Sequence, residues 1–91
     1  LRIFSWKCSW DRSGVYAVLD RRQDGFYVLD VGESVGVKTR VETHDRKPSW
    51  NSSSRGALHV AALYTPQLQP PGRREIEQHI RSQYTGLCGD R

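Results

Sequence analysis

The sequence has few of the residues that mark secreted, membrane or disulfide-stabilised proteins. Its two cysteines, Cys8 and Cys88, stand near opposite ends, and one distant pair does not define a disulfide framework, so we expect both to be reduced. No apolar run approaches the roughly 20 residues that a membrane helix needs, and no secretory signal is visible. Because the chain begins at Leu1 and not at methionine, we expect that upstream residues were removed or left out. These features predict a cytoplasmic protein with no membrane span.

Common metal and nucleophile motifs are also missing. No CxxC or HxxxH pairing occurs among the two cysteines and three histidines, which argues against a structural zinc site. Ser, His and Asp are all present, yet no G-x-S-x-G pattern presents a serine nucleophile. Zinc modules and serine hydrolases therefore have no support.

The length and the charge balance indicate the number of domains and a class of partner. Ninety-one residues make one domain, residues 1–91, with room for a single modest core. Fourteen Lys and Arg against ten Asp and Glu give a net charge of +4 and a pI near 9.4. Such a surplus favours a polyanionic partner such as DNA, although charge alone does not establish one.

Three runs rich in β-branched and aromatic residues predict strands: Gly14–Asp20, Phe26–Gly32 and Ala57–Tyr64. The Asp24-Gly25 pair between the first two is a strong hairpin signal. Both runs are apolar at consecutive positions, which is typical of strands covered on both faces.

Two amphipathic patterns predict helices, over Ser34–Arg46 and over Arg73–Tyr84. Pro48 is expected to end the first, and Pro48–Gly56 is expected to be a loop by its composition. The fold class predicted from this order is α+β, a small three-stranded and mainly antiparallel sheet flanked by helices, with its core at about residues 14–88.

Helical geometry selects the polar residues that can reach a site beside the core. On the second predicted helix, Glu77 lies roughly 60° from the apolar stripe centred on Ile80, and Glu75 lies roughly 140° away. Glu77 therefore flanks the core and Glu75 faces water. The competing interpretation of Glu77 is an exposed ion pair with Arg73 or Arg81, one turn away on either side.

The first predicted helix places two further polar residues on one side of its stripe, His44 at roughly 40° and Arg40 at roughly 80°. They could point together into a cleft. Taken singly, Arg40 fits a solvated charge and His44 fits a histidine at the edge of the core. Trp50 could stack on a base, but a tryptophan more often belongs to the core or its rim.

Taken together, these fragments resemble the GIY-YIG nuclease superfamily. Gly14-Val15-Tyr16 resembles the first signature, and Asp30-Val31-Gly32 followed by Glu33-Ser34 resembles the second. Arg40 stands eight residues beyond Gly32, where the family has its arginine, and His44 follows one turn later. Glu77 precedes Ile80 by three residues, as in the family's late helix.

The resemblance implies a divalent-metal-dependent endonuclease that hydrolyses DNA phosphodiester bonds. Glu77 would hold Mg²⁺ or Mn²⁺, Arg40 would contact the scissile phosphate, Tyr16 would be the general base and His44 would assist proton transfer. The substrate would lie against residues of the second signature and the following helix, namely Gly32, Ser34 and Lys38.

One position departs from the family pattern, because the second signature normally begins with tyrosine and this chain has Asp30. Asp30 could join Glu77 as a second metal ligand, or its charge could repel the phosphate. A plainer alternative is a strand-end aspartate that hydrogen-bonds the Ser34 turn. The alternative function is therefore a catalytically weak or inactive GIY-YIG-like module that binds nucleic acid or a protein partner.

Overall fold

The computed structural model describes the backbone of residues 2–5 and the whole of residues 11–84 and 87. An antiparallel sheet carries helices on both faces, which confirms the α+β class. In chain order the elements are β1 (Arg2–Ser5), β2 (Gly14–Arg22), β3 (Gly25–Ser34), α1 (Val37–Glu42), α2 (Lys47–Ser53), β4 (Leu58–Tyr64) and α3 (Pro70–Arg81). None of the helices in these residues is long and apolar enough to cross a membrane.

The predicted hairpin forms the centre and one edge of the sheet. The strand order is β1-β4-β2-β3, and each neighbouring pair is antiparallel. Gly25 closes the hairpin turn with a φ of 137°, a conformation that favours glycine. The short strand β1, which pairs with β4, is an addition to the three strands predicted from the sequence.

A bulge in the hairpin determines which residues of β3 face the first two helices. Val18 pairs with Asp30, but the next residue of β2, Leu19, pairs with Val28, so Leu29 is the extra residue. Leu29 belongs to the same buried cluster as Val18. The bulge therefore turns both Leu29 and Asp30 towards one face of the sheet.

The main core lies on that face, beneath α1 and α2. It consists of side chains from both helices and from the three longer strands: Tyr16, Val18, Leu29, Val37, Val41, Trp50, Val60 and Ala62. Trp50 is the largest of them and is 1% exposed. Burial of this cluster fixes α1 and α2 over the middle of β2.

The other face of the sheet is covered by α3. Ile80 and Tyr84 line a groove with Val15 and Ala17, whose side chains alternate with those of the main core along β2. The helix also packs against β3, the edge strand. Thus α1 and α3 lie on opposite faces, and the edge of β3 is where the two sides meet.

Two helix predictions need correction. The first helix ends at Glu42, well before Pro48, and residues 43–46 form a turn that leads into α2. The segment expected to be a loop contains α2, with a proline in its first turn, where the missing N–H is not needed. Its polar composition hid the helix because Trp50 is its one buried residue.

Candidate nucleic-acid interface

The residues of the two signatures lie side by side on the central strands. Tyr16 pairs directly with Gly32, and a Cβ atom built on Gly32 would collide with the Tyr16 hydroxyl. The absence of a side chain at Gly32 is therefore what lets the phenol ring lie across β3. This explains in physical terms why a glycine stands there.

Tyr16 is 2% exposed. This burial raises the pKa of the Tyr16 phenol to about 12, and Asp30 adds to the rise, while the Arg40 guanidinium beside it opposes the rise by its charge and by a hydrogen bond. The phenol is consequently protonated at neutral pH. Its hydroxyl can donate a hydrogen bond, but without a bound cation it is a poor general base.

Arg40 has the geometry of an accessible anion contact. Its side chain is 43% exposed, and its ion pair with Asp45 is long, at 3.9 Å between Nη2 and Oδ1. The guanidinium also makes a hydrogen bond with the Tyr16 side chain. A guanidinium anchored on one side and open on the other can offer two N–H groups to a phosphate.

His44 lies behind Arg40 and is 4% exposed. Its Nδ1 accepts a hydrogen bond of 3.0 Å from the Arg46 backbone N–H, and its ring centre lies 4.8 Å from that of Trp50. Burial lowers the pKa of His44, and the charges of Arg40 and Arg46 lower it further. The ring is therefore neutral with its proton on Nε2, and the 3.1 Å approach of Asp45 to Nδ1 is not an ion pair at neutral pH.

Acidification should destabilise the fold through His44. Its pKa in the folded state is lowered below the ordinary value of 6.5, so the unfolded chain binds the proton first. We expect the free energy of unfolding to fall as the pH drops below about 6.5, with a slope of at most about 1.4 kcal/mol per pH unit, until the folded ring is also protonated. Urea unfolding measured between pH 7.5 and 5 tests this.

The matched comparison uses His44→Gln and His79→Gln, since His79 is an exposed histidine on α3. The slope should disappear in the first variant and persist in the second. Equal slopes in both variants would remove His44 from the pH dependence.

Asp30 is the centre of a buried network and not a free carboxylate. It is 1% exposed. Its Oδ2 accepts hydrogen bonds of 2.9 Å from Arg46 Nε and 2.8 Å from Trp50 Nε1, and its Oδ1 accepts one of 2.9 Å from Arg81 Nη1. The same arginine, Arg81, also donates to the Val31 carbonyl oxygen. The carboxylate thus ties α2 and α3 to β3 around the edge of the sheet.

These contacts determine the charge state and the role of Asp30. Burial by itself raises the pKa of this carboxyl, but hydrogen bonds from Arg46, Trp50 and Arg81 outweigh it, so the pKa is lowered overall. The expected hydrogen bond to the Ser34 turn is not the one formed, since Ser34 Oγ accepts from the Gly36 N–H at 3.0 Å. Sequence spacing gave no signal for the observed partners, which are 16, 20 and 51 residues away.

Glu77 lies on α3, half-buried, while Glu75 is exposed, as predicted. Arg73 and Arg81, one turn before and after Glu77, both contact β3: Arg73 Nε donates to Glu33 at 3.0 Å, and Arg81 binds Asp30. Glu77 therefore belongs to the row of α3 that faces the edge of the sheet. Its Oε1 accepts a bond of 3.2 Å from the neighbouring Gln78.

The predicted residues thus fall into two groups. Tyr16, Arg40 and His44 come together on the α1 side, with Gly32 beneath the phenol ring. Glu77 lies across the β3 edge, and no ion pair or hydrogen bond within residues 11–84 joins it to that group.

The remaining predicted residues have more ordinary surroundings. Ser34 closes the turn before α1, and Lys38 is half-buried near Asp11, which accepts hydrogen bonds from Thr39. Trp50 belongs to the core and not to a stacking surface. The two cysteines, Cys8 and Cys88, lie outside the described residues.

The fit of a divalent cation can be judged from the donor groups. Asp30 does not fit, because its two oxygens already accept three side-chain hydrogen bonds. Glu77 fits as a single carboxylate ligand, since Mg²⁺ commonly retains several waters. Within the part of the chain that the structure describes, no group of three or more His, Cys, Asp or Glu side chains is placed to hold a metal ion.

Comparison with known proteins adds no relative. No protein-family model, curated protein or solved structure matches the chain.

Proposed function

We propose that this chain is a GIY-YIG-like module that binds the phosphodiester backbone of DNA through Arg40, with little or no hydrolysis of its own. The observation that carries the proposal is the exposed Arg40 guanidinium anchored on the buried Tyr16 hydroxyl. In this proposal the protein is cytoplasmic and its partner is DNA. The resemblance of the two signatures to the nuclease family and the net charge of +4 support the same class of ligand.

The site favours binding over cleavage for two reasons. A general base must be able to lose its proton near neutral pH, and the pKa of Tyr16 is raised to about 12. The position normally occupied by the second tyrosine is filled by Asp30, whose oxygens are engaged by Arg46, Trp50 and Arg81. Without a bound cation, neither residue is available to activate a water.

Metal-dependent endonuclease activity is the second candidate, and Glu77 is the observation that favours it. Glu77 is a half-buried carboxylate on the α3 row that faces β3, and its hydrogen-bond partner there is the neutral amide of Gln78. Bound Mg²⁺ or Mn²⁺ would supply electrostatic stabilisation of the phosphate. In this candidate Arg40 and Tyr16 keep the roles of phosphate contact and hydrogen-bond donor.

Binding of labelled DNA, measured by fluorescence anisotropy, tests the leading proposal. Arg40→Ala should weaken binding about 10- to 150-fold, since a hydrogen bond to a charged group contributes about 1.5–3 kcal/mol, and should reduce the salt slope by about one phosphate contact. Arg74→Ala is the matched control: it removes the same charge from a side chain that is 69% exposed on α3. Equal losses in both variants would mean that net charge and not the Arg40 site determines binding.

A nicking assay in the same buffer separates the two candidates. Supercoiled plasmid is incubated with Mg²⁺ or Mn²⁺, with EDTA, and with the Glu77→Ala and Glu75→Ala variants. The leading proposal expects wild type and Glu77→Ala to be indistinguishable. Nicking that requires metal and Glu77, and that survives in Glu75→Ala, would establish the endonuclease candidate instead.

A further inference from the structure

A second basic cleft lies at the tip of the β2–β3 hairpin. It has a volume of about 480 Å³ and is lined by Arg21, Arg22, Gln23, Asp24, Tyr27 and Arg55. We call it the hairpin-tip cleft. Three of its six lining residues are arginines, and its one acidic member, Asp24, accepts a hydrogen bond of 2.6 Å from the Tyr27 hydroxyl. Three arginines and one aspartate give the lining residues a formal charge of +2, which favours an anionic ligand.

The buried carboxylate of Asp20 fixes the residues that line the hairpin-tip cleft. Asp20 is fully buried and accepts hydrogen bonds of 2.8 Å from Arg22 Nε, 2.9 Å from the Arg55 N–H and 2.8 Å from the Gly56 N–H. Gly56 packs so closely on the Arg21 carbonyl that a Cβ atom would not fit. The loop after α2 is thus fastened to β2, and binding would require little reorganisation.

Tyr27 and Arg22 form a layered platform in this cleft. The Arg22 guanidinium carbon lies 4.0 Å from the centre of the Tyr27 ring, and Tyr27 remains 40% exposed. Unpaired bases stack on aromatic rings and on guanidinium planes, while the N–H edges of arginines bind phosphate. A peptide of aspartates and glutamates would use the arginines but has no aromatic ring to stack on the platform.

The hairpin-tip cleft shares a face of the sheet with the Arg40 site. Tyr16, Asp20 and Arg22 alternate with outward residues along β2, so their side chains point to the same side. Tyr16 and Arg22 are six residues apart, or about 20 Å along a strand. At about 3.4 Å per stacked nucleotide, that separation matches about six nucleotides.

We propose that the hairpin-tip cleft binds an unpaired nucleotide of the same nucleic-acid strand that Arg40 contacts. Tyr27 and Arg22 supply the stacking platform, and Arg55 supplies the phosphate contact. The Arg21 guanidinium lies over the Phe26 ring, 5.1 Å from its centre, and is not one of the proposed contacts. The inference rests on the proposed DNA-binding function and adds its substrate preference, a strand with unpaired bases.

Anisotropy with single-stranded oligothymidylate of about twelve nucleotides and with a fully paired duplex tests the inference. Tyr27→Ala should weaken single-strand binding about 5- to 100-fold, since one base stack contributes about 1–3 kcal/mol, and should leave duplex binding unchanged. Tyr27→Phe retains the ring and should bind like wild type. Phe26→Ala is the matched control, because Phe26 is 38% exposed and points to the opposite face of the hairpin.

Four outcomes would overturn the inference, the last of them by rejecting the proposed function on which it rests. Equal losses in Tyr27→Ala and Phe26→Ala would indicate a general loss of hairpin structure. Displacement of the oligonucleotide by polyglutamate of equal charge would indicate a site for any polyanion. Loss of binding in Arg40→Ala but not in Tyr27→Ala would leave the proposed function standing and reject the second contact, whereas wild-type binding by every variant would reject the proposed function itself.

Discussion

Replacing Asp30 with alanine is expected to lower the free energy of unfolding by about 3–5 kcal/mol, because it would leave buried guanidinium groups without their counter-charge. The Arg81 side chain is 1% exposed and that of Arg46 is 31% exposed. Most of the destabilisation should therefore come from the uncompensated charge of Arg81. The indole N–H of Trp50 would lose its acceptor as well. Urea unfolding followed by circular dichroism measures the change.

Two variants make this expectation specific. Asp30→Asn keeps the shape and an acceptor oxygen but not the charge. Its free energy of unfolding should therefore lie between those of wild type and Asp30→Ala. Asp45→Ala removes an exposed carboxylate, 82% exposed at its side chain, and should change the stability by less than about 0.5 kcal/mol. An Asp30→Ala protein within 1 kcal/mol of wild type would show that the buried network does not hold the sheet edge together.

The network gives a physical reason for an aspartate at position 30, where the family that the sequence resembles has tyrosine. A tyrosine at position 30 would present one hydroxyl oxygen to three side-chain donors, whereas a carboxylate presents two oxygens and a negative charge. Asp30 therefore belongs with Arg46, Trp50 and Arg81 as one unit of structure. Introducing tyrosine alone would leave the arginines uncompensated.

The parts of the fold that could be predicted are those whose signals are local. The Asp24-Gly25 turn and the flanking β-branched runs predicted the hairpin, and the spacing of Ile76 and Ile80 predicted α3. In contrast, α2 has one buried residue in seven, so no periodicity marked it. The edge strand β1 has four residues and is defined by its pairing with β4, a partner distant in the sequence.

In the candidate site, too, local features could be predicted from the sequence and contacts between distant elements could not. Helical angles correctly placed Glu75 in solvent, since its exposure depends on neighbouring turns of one helix. His44 is buried, but it lies in the turn after α1, where helical angles do not apply. They could not reveal that Asp30 would be enclosed by donors from α2 and α3, because those contacts depend on tertiary packing. For the same reason, the sequence assigned Trp50 to a loop, whereas it is the anchor of a helix.

Replacing Trp50 with alanine is expected to reduce the free energy of unfolding by about 3–5 kcal/mol, the usual loss for a large aromatic residue in a core. Trp50 is 1% exposed, packs against His44 and donates to Asp30, so its removal creates a cavity and takes a donor from the buried carboxylate. Trp50→Phe fills most of that space but lacks the N–H, so its loss of about 1–3 kcal/mol would report the hydrogen bond together with a smaller cavity. Asn51→Ala, at the exposed neighbouring position of α2, is the control for helix propensity and should differ from wild type by less than about 0.5 kcal/mol. Urea unfolding of the four proteins gives the comparison: if Trp50→Ala proved no less stable than Asn51→Ala, α2 would not be anchored by its tryptophan.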